Sequence, residues 1–268
     1  MEADMDIILS PEFIALKTEV EKLRTEMSLL LLEKDELLLV ECKNIEMSYM
    51  LILGNLEYRA YELQCAVLRL KRKIEIIQAK KNRQEKIDIS NIEKSLDEEF
   101  SEYKKKLDEQ IDKMNDALER SKCEVLSAEE SNELKKLYRQ VVKALHPDLN
   151  PNISKAQLNL FNNAVSAYEN GDLNSLRLIS AMVAEPVLSD CEENSMETLK
   201  NEKKRLIELI GVVYEMIKKI KNEYPYILKP TLKSEEEINK RKSELEVIIS
   251  QLAESLEFYK VKIAEMLR

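Results

Sequence analysis

The sequence predicts an all-α protein in which elongated helical hairpins, or coiled coils, flank a small helical bundle. Only three glycines, six prolines and no tryptophan occur in 268 residues, too few turn formers for a β-sandwich, a barrel or a nucleotide-binding α/β fold. Apolar residues recur at steps of three and four over long stretches, the period of a helix with one buried stripe. Helix starts can also be read from capping chemistry, in which a Ser hydroxyl accepts an orphan backbone N–H and a Glu or Gln three residues later reaches back. Ser90 with Glu93, Ser127 with Glu130, Ser154 with Gln157 and Ser234 with Glu237 have that form, and Ser10 precedes Pro11, the favoured first helical residue.

From Pro11 onward, Leu16, Val20, Leu23, Met27 and Leu30 follow a 4,3,4,3 spacing. The stripe then drifts to Leu38, Ile45, Ile52 and Leu56, a coiled-coil period of imperfect register. Gly54 and Asn55 mark a candidate break or bend, and a further helical stretch to about Lys86 carries Tyr61, Val67, Leu70, Ile74 and Ile77. Residues 87–91 read as a turn. Ile92, Leu96, Phe100, Tyr103, Leu107, Ile111, Met114 and Leu118 then predict one helix of roughly 45 Å, joined to its predecessor as an antiparallel hairpin. Near the other end, Leu206, Ile210, Val213, Ile217 and Ile220 form one seam, and Leu245, Ile249, Leu252, Leu256, Tyr259, Ile263 and Met266 another. Tyr224-Pro225 through Pro230 separates them, which predicts a second antiparallel hairpin. The partition is therefore N-terminal coiled-coil helices over 1–86, a long helix over 87–126, a compact module over 127–184, an acidic small-residue linker over 185–194 and a C-terminal hairpin over 195–268.

A formal net charge of -9 argues against nucleic acid as a partner, since phosphate binding needs concentrated positive charge. Cys42, Cys65, Cys123 and Cys191 show no Cys-x-x-Cys pairing, so neither a metal site nor a disulfide framework is expected, and reduced thiols in a cytoplasmic protein fit the pattern. No cofactor motif is present. The opening MEADMDII lacks the features of a secretory signal. Glu33, Lys34, Asp35 and Glu36 interrupt the apolar runs Leu29–Leu32 and Leu37–Val40, so no membrane span is expected. Exposure of Leu29–Leu32 would favour a homodimer.

Within 127–184, Leu134, Leu137, Tyr138, Val141, Val142 and Leu145 share one helical face, while Lys135, Lys136, Arg139 and Lys143 project elsewhere as a cationic surface. Pro147 ends that helix, because it lacks an N–H and pushes the residue before it out of helical geometry. His146, the only histidine, and Asp148 are thereby expected in a rigid, exposed turn. A second helix should start after Ser154 with Leu158, Phe161, Ala164, Val165 and Tyr168 on one face, and end at Asn170-Gly171. Asp172 can cap a third, bearing Leu173, Leu176 and Ile179.

The run LYRQVVKALHPDLNP followed by LFNNAVSAYENGDL resembles helix II, loop and helix III of a J-domain, the module of DnaJ-type co-chaperones, over about 45 residues, 127–171. The resemblance implies that His146, Pro147 and Asp148, with the basic face Lys135, Lys136, Arg139 and Lys143, engage a DnaK-type chaperone and stimulate its ATP hydrolysis. It also places Tyr138 and Arg139 at the family's tyrosine-arginine pair, and Phe161 and Tyr168 at its helix III aromatics. The family's Tyr-x-x-Leu-Gly helix I is absent just upstream, and neither a Gly/Phe-rich linker nor a cysteine-repeat zinc region follows.

The expected function is thus that of an adaptor without catalysis of its own, which docks on a DnaK-type chaperone while its coiled arms bind a protein client or dimerise. A second reading is a coiled-coil scaffold whose bundle merely joins two hairpins. A hydrolase using His146 as base fits poorly, because side chains on either side of Pro147 diverge and no nucleophile or oxyanion-hole glycine lies near in sequence.

Overall fold

A computed structural model of the chain describes residues 10–122, 126–184 and 196–268, and all regular structure among them is helical. The expected linker over 185–194, Cys123, Cys191 and the first nine residues lie outside the described residues. Helical residues succeed one another from α1 (Pro11–Asp35) through a π-helical segment (Glu36–Glu41), α2 (Cys42–Tyr49) and a second π segment (Met50–Gly54) to α3 (Asn55–Asn82). Then come α4 (Ile89–Glu99), α5 (Ser101–Lys122), α6 (Ala128–Leu145), α7 (Lys155–Glu169), α8 (Leu173–Ala184) and α9 (Met196–Asn222). A 3₁₀ turn (Tyr226–Leu228), the short α10 (Lys229–Leu232) and α11 (Glu235–Met266) complete the order. No described helix is long and apolar enough to cross a membrane, and no group of His, Cys, Asp and Glu among the described residues could hold a metal ion.

The chain divides into two compact units, each assembled from segments distant in sequence: Met1–Lys43 with Glu124–Ile227, and Asn44–Cys123 with Leu228–Arg268. In the first unit, α1 and α9 run parallel, since Glu19 pairs with Lys203 at 2.7 Å and Glu33 with Lys221 at 2.7 Å. Their shared seam holds Val20, Met27 and Leu31 against Leu206, Val213 and Ile217, and it merges with the core of α6, α7 and α8. Of the four leucines expected at a dimer surface, Leu31 is wholly buried in that core and Leu30 and Leu32 pack partly against it. Leu29 alone is substantially exposed, at 44%.

In the second unit, α11 runs parallel to α3, with Arg241 3.6 Å from Glu57 and Lys71 over the Tyr259 ring. Leu53, Ala60, Leu245 and Ile249 form one core cluster there, and Ile77, Ile92, Leu96 and Ile263 a second. The helices α4 and α5 return antiparallel along α3 and then α2: Arg69 pairs with Asp97 at 2.6 Å, the Tyr61 and Tyr103 rings stack at 6.4 Å, and Lys113 reaches Glu46 of α2 at 4.0 Å.

Several expectations require correction. The seam of α9 is covered by α1 and that of α11 by α3, so a self-contained C-terminal hairpin is not what buries them. Gly54 and Asn55 do not break the helix; Gly54 closes the second π segment, where an added Cβ would meet the Met50 sulfur at 3.3 Å. Because a π turn takes up an extra residue, each such segment resets which side chains face the neighbour, and this absorbs the drift of the apolar stripe. The cap of α4 is Asp88, whose carboxylate accepts the Asn91 N–H at 3.2 Å, and not Ser90. Glu93 is instead drawn to Lys73 and Arg69 of α3, which hold its carboxyl below the usual range. The helix expected across 92–118 is interrupted at Phe100, where the Ser101 hydroxyl donates to the Glu98 carbonyl at 2.8 Å and competes with the helical ladder.

Candidate partner-docking site

The site is built on α6, the loop 146–154 and α7. A reciprocal capping box opens α6: the Ser127 N–H donates to Glu130 at 2.9 Å, and the Glu130 N–H donates to the Ser127 hydroxyl at 3.2 Å. Those bonds hold the Glu130 carboxyl below its ordinary range. At the other end, the His146 N–H makes a last helical bond to the Val142 carbonyl at 3.0 Å, after which His146 turns extended ahead of Pro147. The His146 carbonyl then accepts the N–H groups of Leu149 and Asn150, and the Asn150 side chain donates to the Lys143 carbonyl at 3.1 Å, which knots the turn onto the end of α6. Ser154 and Gln157 form the box that starts α7. Gly171, at φ 68°, closes that helix, with the Asp172 N–H reaching the Ala167 carbonyl at 2.8 Å in the Schellman pattern.

The two helices are antiparallel and locked by aromatic contacts: Tyr138 stacks on Tyr168 with centroids 4.1 Å apart and planes 9° from parallel. Arg177 of α8 makes two 2.7 Å bonds to the Glu133 carboxylate and holds it below its ordinary range, while Ser180 donates to Gln140.

The expectation of a wholly exposed corner is corrected. His146 is only 7% exposed, and its ring lies edge-on to Phe161 of α7 at 5.1 Å. Its Nδ1 accepts the Asp148 N–H at 3.1 Å, so a neutral ring carries its proton on Nε2. Burial pushes the imidazole pKa down; the nearby Asp148 carboxylate opposes this and Lys34 adds to it. Pro147 is half-buried, and the Asp148 side chain remains 44% exposed. The Asp148 backbone is fixed from α9, where Arg205 donates to its carbonyl at 2.9 Å and is itself bonded to Glu202.

The basic face is divided. Lys136 and Lys143 are exposed, as the helical projection predicts. Lys135 is paired with Glu36 of the first π segment. Arg139 is half-buried, with its Nε enclosed and lacking a hydrogen-bond partner. Beneath them the Tyr138 hydroxyl donates to the buried Asp35 carboxylate at 2.7 Å, and desolvation with that neighbouring charge drives the phenol pKa strongly up. Sequence reasoning missed Lys34, Asp35, Glu36 and Arg205 as members of the site. A signal existed for the first three: a charged cluster set between two all-leucine stretches is anomalous in a coiled coil unless something polar faces it. Arg205, on a helix that is basic in many places, offers no comparable signal.

Chemically, the arrangement can present a half-exposed carboxylate and two exposed ammonium groups to a partner, together with an imidazole poised just beneath the surface. No family model, curated protein or solved structure matches the chain.

Proposed function

We propose that the chain is a J-domain-type co-chaperone, an adaptor that docks on a DnaK-type chaperone and stimulates its ATPase, with its paired helices available to a protein client or to a second copy. The observation that carries the reading is the helix–loop–helix itself. A His-Pro-Asp turn ends a cationic helix and stands against an antiparallel helix through the Tyr138–Tyr168 stack and the His146–Phe161 contact, and Lys136, Lys143 and the half-exposed Asp148 remain accessible. Charges so placed suit a partner surface of mixed charge, since a carboxylate gains most from a guanidinium and ammonium groups from carboxylates. The buried, free thiol of Cys65 suits a reducing compartment such as the cytoplasm.

The scaffold reading draws support from a specific observation as well: His146 is buried and Lys135 is already paired within the chain, as expected of a bundle serving only as a joint. One experiment separates the two. Added to the DnaK-type chaperone of its own host, the protein is expected to raise single-turnover ATP hydrolysis, and His146→Gln to abolish the rise while leaving far-UV circular dichroism unchanged. Absence of any rise with wild-type protein favours the scaffold.

A further inference from the structure

The end of α1 and the π segment that follows it meet the basic face of α6 through polar groups. Glu36 pairs with Lys135, and Asp35, itself bonded to Lys34 at 3.4 Å, accepts the Tyr138 hydroxyl at 2.7 Å. On the α7 side, Lys43 reaches Glu169 at 3.7 Å. The charges of Lys34 and Asp35 also act on the His146 ring. Two acidic side chains from within the molecule therefore stand where an acidic partner would meet Lys135 and the tyrosine-arginine corner.

The junction differs from the apolar seams elsewhere in this unit. Asp35 is buried, the Arg139 Nε and the Tyr168 hydroxyl are enclosed without a hydrogen-bond partner, and the Lys135–Glu36 pair is only partly shielded from water. Buried polar groups left unsatisfied favour separation, because opening returns their hydration. Half-exposed ion pairs add little to oppose it. The contact also sits where a π segment begins, a local irregularity of the kind that lets a helix shift its face by one residue.

We propose that the Lys34–Glu36 segment is a built-in competitor for the docking face: Glu36 and Asp35 occupy Lys135 and Tyr138, and a chaperone must displace them before it can engage the full basic face beside the His-Pro-Asp corner. This rests on the docking reading above and adds a closed and an open state to it. A site competent in only a fraction of molecules binds with an affinity reduced by that fraction, so loosening the internal contact tightens docking without adding any contact to the partner.

The test uses the full chain and the DnaK-type chaperone of its host, loaded with ATP. Glu36→Gln removes the internal charge facing Lys135, and Lys43→Glu sets like charges against each other at Glu169, which loosens the same segment without touching any docking residue. Hydrogen exchange at α6 amides is expected to quicken in both variants while circular dichroism stays constant. Both are expected to dock about two- to five-fold more tightly than wild type, and to stimulate hydrolysis at correspondingly lower concentration. Should either variant fail to fold, the other carries the test. If wild type and variants dock with equal affinity, or the variants dock more weakly, the internal competitor is refuted while docking stands. If neither wild type nor the loosened variants dock at all, the docking reading falls and the competitor with it.

Discussion

His146 is where burial and chemistry conflict most directly. Its ring is held neutral by desolvation, with Nδ1 engaged by the Asp148 N–H. A folded-state pKa below the ordinary 6.5 means that the unfolded chain binds the proton more readily. The contribution of His146 to stability is therefore fully present above that value and is lost as pH falls through the window beneath it. With no second histidine, and with the carboxylates that show a shift, Glu93, Glu130, Glu133, Asp172 and Glu202, moved still lower, the interval from about pH 7 to about pH 5.5 isolates this one group. Urea unfolding across that interval is expected to show the midpoint falling with acidification in wild type and a flatter profile in His146→Phe. Identical slopes in the two proteins would contradict a buried neutral imidazole. The turn around this residue was readable from Pro147 alone, whereas its burial was not, because Phe161 packs on it from another helix.

Among the elements, the caps show how far local chemistry reaches. Ser10, Ser127, Ser154 and Ser234 stand where hydroxyl-capping logic places them, and each accepts the backbone N–H three residues on. Gly171 ends α7 in the left-handed region, which costs a side-chain-bearing residue about 1–2 kcal/mol. Gly171→Ala is expected to destabilise the first unit by about that amount in denaturant titration, while Gly211→Ala, in a helical position with open space around its Cα, should be neutral to stabilising. Equal effects at the two glycines would show that the αL conformation is not what constrains position 171. Where local logic failed, a long-range partner had intervened: Glu93 serves Lys73 and Arg69 on another helix in place of Ser90, and Asp88 takes over the cap.

For the whole molecule, charge sets the terms of association. A net charge of -9 repels an acidic partner at long range, so the docking proposed here would depend on the local cationic rim. Of that rim, Lys136 and Lys143 are the exposed members, while Lys135 is held by Glu36. Replacing Lys136 and Lys143 together with Ala is expected to weaken docking several-fold at about 0.1 M salt and to flatten its dependence on ionic strength, as measured by titration at several salt concentrations. Unchanged affinity would remove the rim from the interface. Each unit joins two segments distant in sequence, and the reason lies in the stripes: a single amphipathic helix cannot bury its apolar face alone, and the sequence carries several long ones of similar character. Periodicity marks each stripe but not its mate, since Leu206 and Leu245 look alike in sequence and only the folded chain assigns one to α1 and the other to α3.

The sequence by itself determined that this chain is helical, where most helices begin, and that a rigid His-Pro-Asp turn closes a cationic helix; capping, periodicity and the geometry of proline act within a few residues. Tertiary structure alone decided which stripes pair, that the imidazole lies beneath the surface, and that Asp35 and Glu36 meet Tyr138 and Lys135 across about a hundred residues of chain. Such contacts are set by the burial and charge of segments far apart in sequence, and no local pattern encodes them.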